Sequence, residues 1–117
     1  MVIGQGDVFW LDIGEPRGSA PGFRRPFVIV QNDVFNQSRI QTAILCAITS
    51  NLGRAKSPGN VRLNKGEANL PRASVVNISQ VITVDRSVLR GKVGTLSRQR
   101  VREIVAGLRL VFEPREL

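Results

Sequence analysis

Gly6-Asp7-Val8-Phe9-Trp10-Leu11-Asp12-Ile13 carries apolar residues on both of its period-two faces, Val8 and Trp10 on one, Phe9, Leu11 and Ile13 on the other. A strand half-exposed to water would alternate apolar with polar. One buried on both sides belongs to a sheet curled into a small barrel. Trp10 is read here as core rather than as a ligand platform. The chain then turns through residues 14–24, where Pro16, Gly18, Pro21 and Gly22 supply strong turn chemistry. Arg25 precedes Pro26, which pushes Arg25 toward extended geometry, and Pro26 is acceptable as the first residue of a strand. The apolar run Phe27-Val28-Ile29-Val30 follows, closed by Gln31-Asn32-Asp33.

A third strand spans Thr42 to Ile48 and ends on Thr49-Ser50-Asn51. Thr49 to Asn60 and Lys65 to Arg72 read as loops, with Val61 to Leu63 as a short strand between them. Ser74 to Asp85 is β-rich, and period-two parity places Val76, Ile78, Gln80 and Ile82 on one face. Gln80 is the polar exception there, either satisfied locally or part of a site. Asp85 to Gly91 reads as one helical turn with Asp85 as its N-cap. Val93 to Leu96 pairs once more, and Ser97 caps a final helix. Val101, Ile104, Val105, Leu108 and Phe112 give that helix an apolar face, its other side is mostly basic, and Pro114 ends it. The outline is mainly β with α: a small, mostly antiparallel barrel with a C-terminal helix, and residues 1–117 are one domain by size.

Composition narrows the chemistry. The 117 residues have no histidine and a net charge of +8. Residues 1–35 are net −1, residues 36–85 net +4 and residues 86–112 net +6, so the basic surface comes mainly from the later chain. A polyanionic partner fits that balance, as does a basic face that serves only solubility. Aromatic residues make up 5% with no tyrosine, which argues against an exposed stacking platform spread over a sheet. The single cysteine, Cys46, lies within an apolar strand and reads as core. The longest apolar run falls far short of the ~20 residues of a membrane span. Asp7 arrives before a signal-peptide core could form, so a cytoplasmic location without membrane contact is expected. Acidic residues are scattered, and no metal site or cofactor is expected.

One route to phosphodiester cleavage needs neither metal nor imidazole. In RNA the 2′-hydroxyl can attack its own adjacent phosphate, provided that charge building on phosphorus is stabilised. A guanidinium at the mouth of one strand, Arg25, and hydroxyls at the end of another, Thr49 and Ser50, suit that task. From the residues alone, Arg25 could equally close a loop on carbonyls, and Thr49 could simply end a strand.

The ordered set Gly6-Asp7-Val8-Phe9-Trp10-Leu11-Asp12, Gly18-Ser19, Arg25 through Asp33, Thr42-Ala43-Ile44, Ala47-Ile48-Thr49, Ser74-Val75-Val76-Asn77, Gln80-Val81 and Asp85 resembles the MazF/PemK-like toxins of type II toxin–antitoxin systems. The resemblance implies an SH3-like (MazF/CcdB-type) curled antiparallel barrel that forms a two-fold homodimer. It implies a metal-independent endoribonuclease cutting single-stranded RNA at short sequences, leaving 2′,3′-cyclic phosphate and 5′-hydroxyl ends. Arg25 and Thr49 match the family's catalytic pair, with Ser19 assisting. Arg24, Ser50, Gln80 and Asn32 are the expected RNA contacts. Many relatives carry an acidic residue just after the Gly-Ser pair; here it is Ala20, which removes a carboxylate base from that loop. A cognate antitoxin is implied, with an acidic, partly disordered segment along the basic groove. The alternative is a toxin of the same barrel that poisons DNA gyrase without cutting RNA.

Overall fold

The structure is a computed structural model, describing residues 2–13 and 23–115. In chain order its elements are β1 (Asp7–Ile13), β2 (Phe23–Ile29), α1 (Asp33–Asn36), β3 (Thr42–Thr49), β4 (Val61–Leu63), β5 (Ser74–Asp85), β6 (Lys92–Thr95) and α2 (Arg98–Phe112). The strands form one sheet in the order β4-β5-β3-β2-β1-β6, and every pairing is antiparallel.

Both faces of this sheet are buried, as the two-sided apolarity of β1 requires. Val8, Val28, Cys46 and Ile48 join Val76, Ile78 and Ile104 of α2 in one cluster. Phe9, Leu11, Phe27, Ile29 and Leu45 form the second with Ile3 and Leu89. The sheet thus curls into a half-barrel with the C-terminal helix on one side, the architecture expected from the sequence. Cys46 is fully buried, and burial pushes its thiol up to about 12, so it is an inert core group.

The gap between edge strands β4 and β6 is bridged by the turn Glu67–Asn69 rather than by a ladder. Asn69 donates its side-chain amide to the Val93 carbonyl at 2.9 Å. Gly94 is required at this crossing, because a Cβ there would lie 2.5 Å from the Ala68 carbonyl oxygen. Arg100 of α2 locks the turn to the helix. Its Nε and Nη2 reach the two Glu67 carboxylate oxygens at 2.9 and 3.0 Å, and its Nη1 reaches Glu103 at 2.9 Å. The Arg100 hydrogen bonds hold the Glu67 carboxyl below its ordinary range despite partial burial.

Four local readings of the sequence differ from the structure. The second strand begins at Phe23 rather than Pro26, because Phe23, Arg24, Arg25 and Pro26 pair with Ile13, Asp12, Leu11 and Trp10 of β1. The parity assigned to β5 fails because its register against β3 shifts between Cys46↔Val81 and Ala47↔Asn77, leaving Ile78, Ser79 and Gln80 without ladder partners. An odd number of extra residues turns the strand over. Val76 and Ile78 therefore face α2, whereas Ile82 packs against the opposite cluster and Gln80 is exposed. The Ile78 N–H at this irregularity donates to Asn60 Oδ1 at 3.0 Å. Gln31-Asn32-Asp33 is not a bare strand end but the start of α1: Asn32 Oδ1 caps Val34 N at 2.8 Å, and buried Gln31 and Asn36 bond each other. At the other end of the chain, Phe112 is exposed rather than on the buried face of α2.

Candidate functional site

Pro26 decides where the site opens. It has no N–H to give a neighbouring strand, and the β2–β3 ladder begins only at Phe27↔Ala47. Carried two residues outward, that register sets Arg25 level with Thr49. On the other side, β1 loses its β6 partner after Phe9↔Lys92, so the wall beyond Phe9 is uncovered. Between the unzipped ends lies a cleft of about 310 Å³ lined by Arg25, Thr49, Ser50 and Arg24, with Trp10, Pro26, Ile48 and Leu70 as apolar wall. Pro71, Arg72 and Ser74 complete it from the segment leading into β5.

The lining holds three arginines and, among the described residues, no carboxylate. Thr49 is partly exposed, and its Oγ1 accepts a hydrogen bond from Asn51 N at 3.1 Å. That contact fixes the side-chain rotamer while leaving the hydroxyl proton available to a ligand oxygen. Asn51 is itself held, accepting from Gly53 N at 3.1 Å as cap of the short Leu52–Lys56 turn. Arg25 is partly buried, which limits the number of conformations from which it must be recruited. Such a site offers bidentate cationic donors and neutral hydroxyl donors to a phosphodiester. Among the described residues no three His, Cys, Asp or Glu side chains approach one another as metal ligands would. No described helix is long and apolar enough to cross a membrane.

The cleft therefore gathers four of the sequence-selected residues, Arg24, Arg25, Thr49 and Ser50. Ser19 and Ala20 lie outside the described residues. Asn32 and Gln80 do not line the cleft: Asn32 is spent capping α1, and Gln80 sits exposed in the irregular stretch of β5. Two lining residues escaped the sequence reading. Arg72 comes from a loop with no motif, so only the Pro71 turn hinted at its placement. Trp10 shares the parity of core residue Val8, but it belongs to neither core cluster and stands partly exposed in the cleft wall. The Arg24 guanidinium carbon lies 5.8 Å from its ring centroid.

Comparison with known proteins identifies the family and the fold. Among relatives, endoribonuclease MazF2 of Mycobacterium bovis is 41% identical over 113 residues, covering 97% of this chain and 99% of that protein. Endoribonuclease MazF of Staphylococcus saprophyticus is 36% identical over 100 residues, covering 86% of this chain and 82% of its own. The fold is shared with an endoribonuclease solved in complex with its cognate antitoxin from a mycobacterial species, at a TM-score of 0.76 and 18% identity over 97% of this chain and 99% of that one. The family model described as PemK-like, MazF-like toxin of type II toxin–antitoxin system matches residues 4–112. With the curled sheet, the helix and the arginine–threonine cleft in place, the chain belongs to the PemK-like, MazF-like toxin family of type II toxin–antitoxin systems.

Proposed function

We propose that this chain is an endoribonuclease toxin that cuts single-stranded RNA at short sequences without a metal ion and is neutralised by a cognate antitoxin. The observation carrying the reading is that Arg25 and Thr49, where the β2–β3 ladder has ended, line one cleft with no carboxylate among its described residues. The names of its relatives support the nuclease, and nothing supports the gyrase-directed alternative.

In this reading the ribose 2′-oxygen attacks the adjacent phosphorus, and the P–O5′ bond breaks. The products are a 2′,3′-cyclic phosphate and a 5′-hydroxyl. Arg25 grips the non-bridging oxygens, where negative charge grows as phosphorus becomes five-coordinate. It therefore binds the transition state more tightly than the substrate. Thr49 donates its hydroxyl proton to the same phosphate and sets its orientation, with Ser19 assisting and Arg24 and Ser50 holding neighbouring backbone. Neither arginine nor threonine is a base at neutral pH. The 2′-hydroxyl proton passes to solvent, and the 5′-oxygen takes one back from water.

The excess of positive charge suits an acidic, partly disordered antitoxin segment laid along the cleft. A two-fold homodimer of the single 1–117 toxin domain, in the cytoplasm, completes the proposal. The test is purified protein with a mixed RNA substrate in EDTA. Discrete cuts ending in 5′-hydroxyls should appear, and a 2′-deoxy nucleotide at a cut position should abolish that cut. Cleavage that requires Mg²⁺, or RNA left intact, contradicts the reading.

A further inference from the structure

We propose that Trp10 is the surface on which one RNA base stacks, beside the phosphate held by Arg25 and Thr49, with Arg24 as a displaceable lid over the ring. The inference rests on reading the cleft as an RNA site. It goes beyond that reading by assigning base contact to a residue that the sequence pattern places in the core.

Four observations carry it. Trp10 shares the parity of Val8, yet Val8 is fully buried while Trp10 reaches the cleft, because β1 has no β6 neighbour past Phe9. A large ring left partly open beside arginines is placed to meet something flat and apolar with charge at its edge, the description of a nucleotide. The cation over the ring is exposed and has no carboxylate partner among the described residues, although Asp12 stands directly across the ladder from it. Its hold on Trp10 is of the modest size of an exposed cation–π contact, so a base can displace it or sandwich it. The cleft, at about 310 Å³, lies at the small end of ligand pockets and suits one nucleotide rather than several.

Arg72 lines the same cleft from the segment leading into β5, whereas Arg24 and Arg25 are carried by β2. It supplies a second cation for a phosphate neighbouring the one held by Arg25.

The protein has one tryptophan and no tyrosine, so its emission reports on Trp10 alone. The experiment titrates the full chain with a mixed-sequence 2′-O-methylated RNA of about ten nucleotides, which lacks the attacking hydroxyl and cannot be cut, a length within single-strand site sizes. Fluorescence anisotropy of a dye on the oligonucleotide reports binding independently. Saturable quenching of Trp10 by the oligonucleotide, absent with inorganic tripolyphosphate at matched ionic strength, is the expected result. Trp10→Phe should bind within about threefold of the wild type. Trp10→Leu should bind about tenfold or more weakly, the range measured for removal of one aromatic stacking partner. Equal quenching by tripolyphosphate would mean that the ring senses only charge near Arg24, and would overturn the stacking. Binding by anisotropy with silent Trp10 emission would also overturn it, while leaving the RNA-cleft reading intact. No binding at all would take down both. If Trp10→Leu fails to fold, the wild-type titration still decides.

Discussion

Arginine is used in opposite ways at two places in this molecule. Against α2, Arg100 is saturated: two contacts to Glu67, one to Glu103, all near 2.9–3.0 Å and three-quarters shielded from water. At the mouth of β2 and on the Leu70–Ser74 segment, Arg24 and Arg72 face a cleft with no described carboxylate in its lining. The first arrangement closes the barrel where no ladder does. The second gathers positive charge with no carboxylate among the described residues of the lining, which suits a polyanionic ligand in the proposed reading. The difference teaches that cation count says little; what each guanidinium faces separates scaffold from site.

The contrast breaks most easily at the site. Replacing Arg25 with alanine should lower kcat by roughly 10²–10³-fold, the loss seen on removing one preorganised donor to a developing oxyanion. An unchanged rate would remove Arg25 from the site. Arg100→Ala should act on stability instead. It strands Glu67 and loosens the β4–β6 closure, costing about 1–3 kcal/mol, as expected for charge-assisted hydrogen bonds that are only partly shielded. Denaturant unfolding measures that cost, and cleavage at temperatures well below the transition should be preserved.

Lowering pH sharpens the same comparison. The Glu67 carboxyl is held below its ordinary value of 4.5 in the folded state, first by the Arg100 hydrogen bonds. Its contribution is therefore complete above the unfolded value and drains away as pH falls through the folded one. Wild-type stability should drop below about pH 4.5, and Glu67→Gln should show a shallower fall. Identical slopes would remove Glu67 from the account. The smallest effect belongs to Arg72→Ala: oligonucleotide binding should weaken similarly for all sequences, and the slope of log K against log salt should shrink by about 1. A change in which sequences are bound would instead assign Arg72 to base reading.

Much of this was legible in the chain. Apolar residues on both faces of β1 need cover on both sides, which a curled sheet supplies, and Arg25 and Thr49 lie just beyond the point where the antiparallel β2–β3 ladder ends. Other features were hidden for definite reasons. The turnover of β5 at Ile78-Ser79-Gln80 depends on unpaired residues that alternation cannot reveal. Asn32 as a helix cap looks like any polar residue after a strand until Val34 N is found on it. Trp10 and Arg72 come to line one cleft through the curl of the sheet and the early end of β6, a long-range consequence with no local signature. Phe112 keeps helical spacing with Leu108, but the last residues of α2, Leu110 to Phe112, are all exposed.

In the proposed reaction Arg25 and Thr49 act together on one phosphate. Single-turnover cleavage of one mapped RNA site by wild type, Arg25→Ala, Thr49→Ala and the double variant tests it. Groups that work as a unit lose their effect together, so the double variant should be little slower than Arg25→Ala alone. Rate losses that multiply across the two substitutions would show independent action at separate points, and would contradict the account.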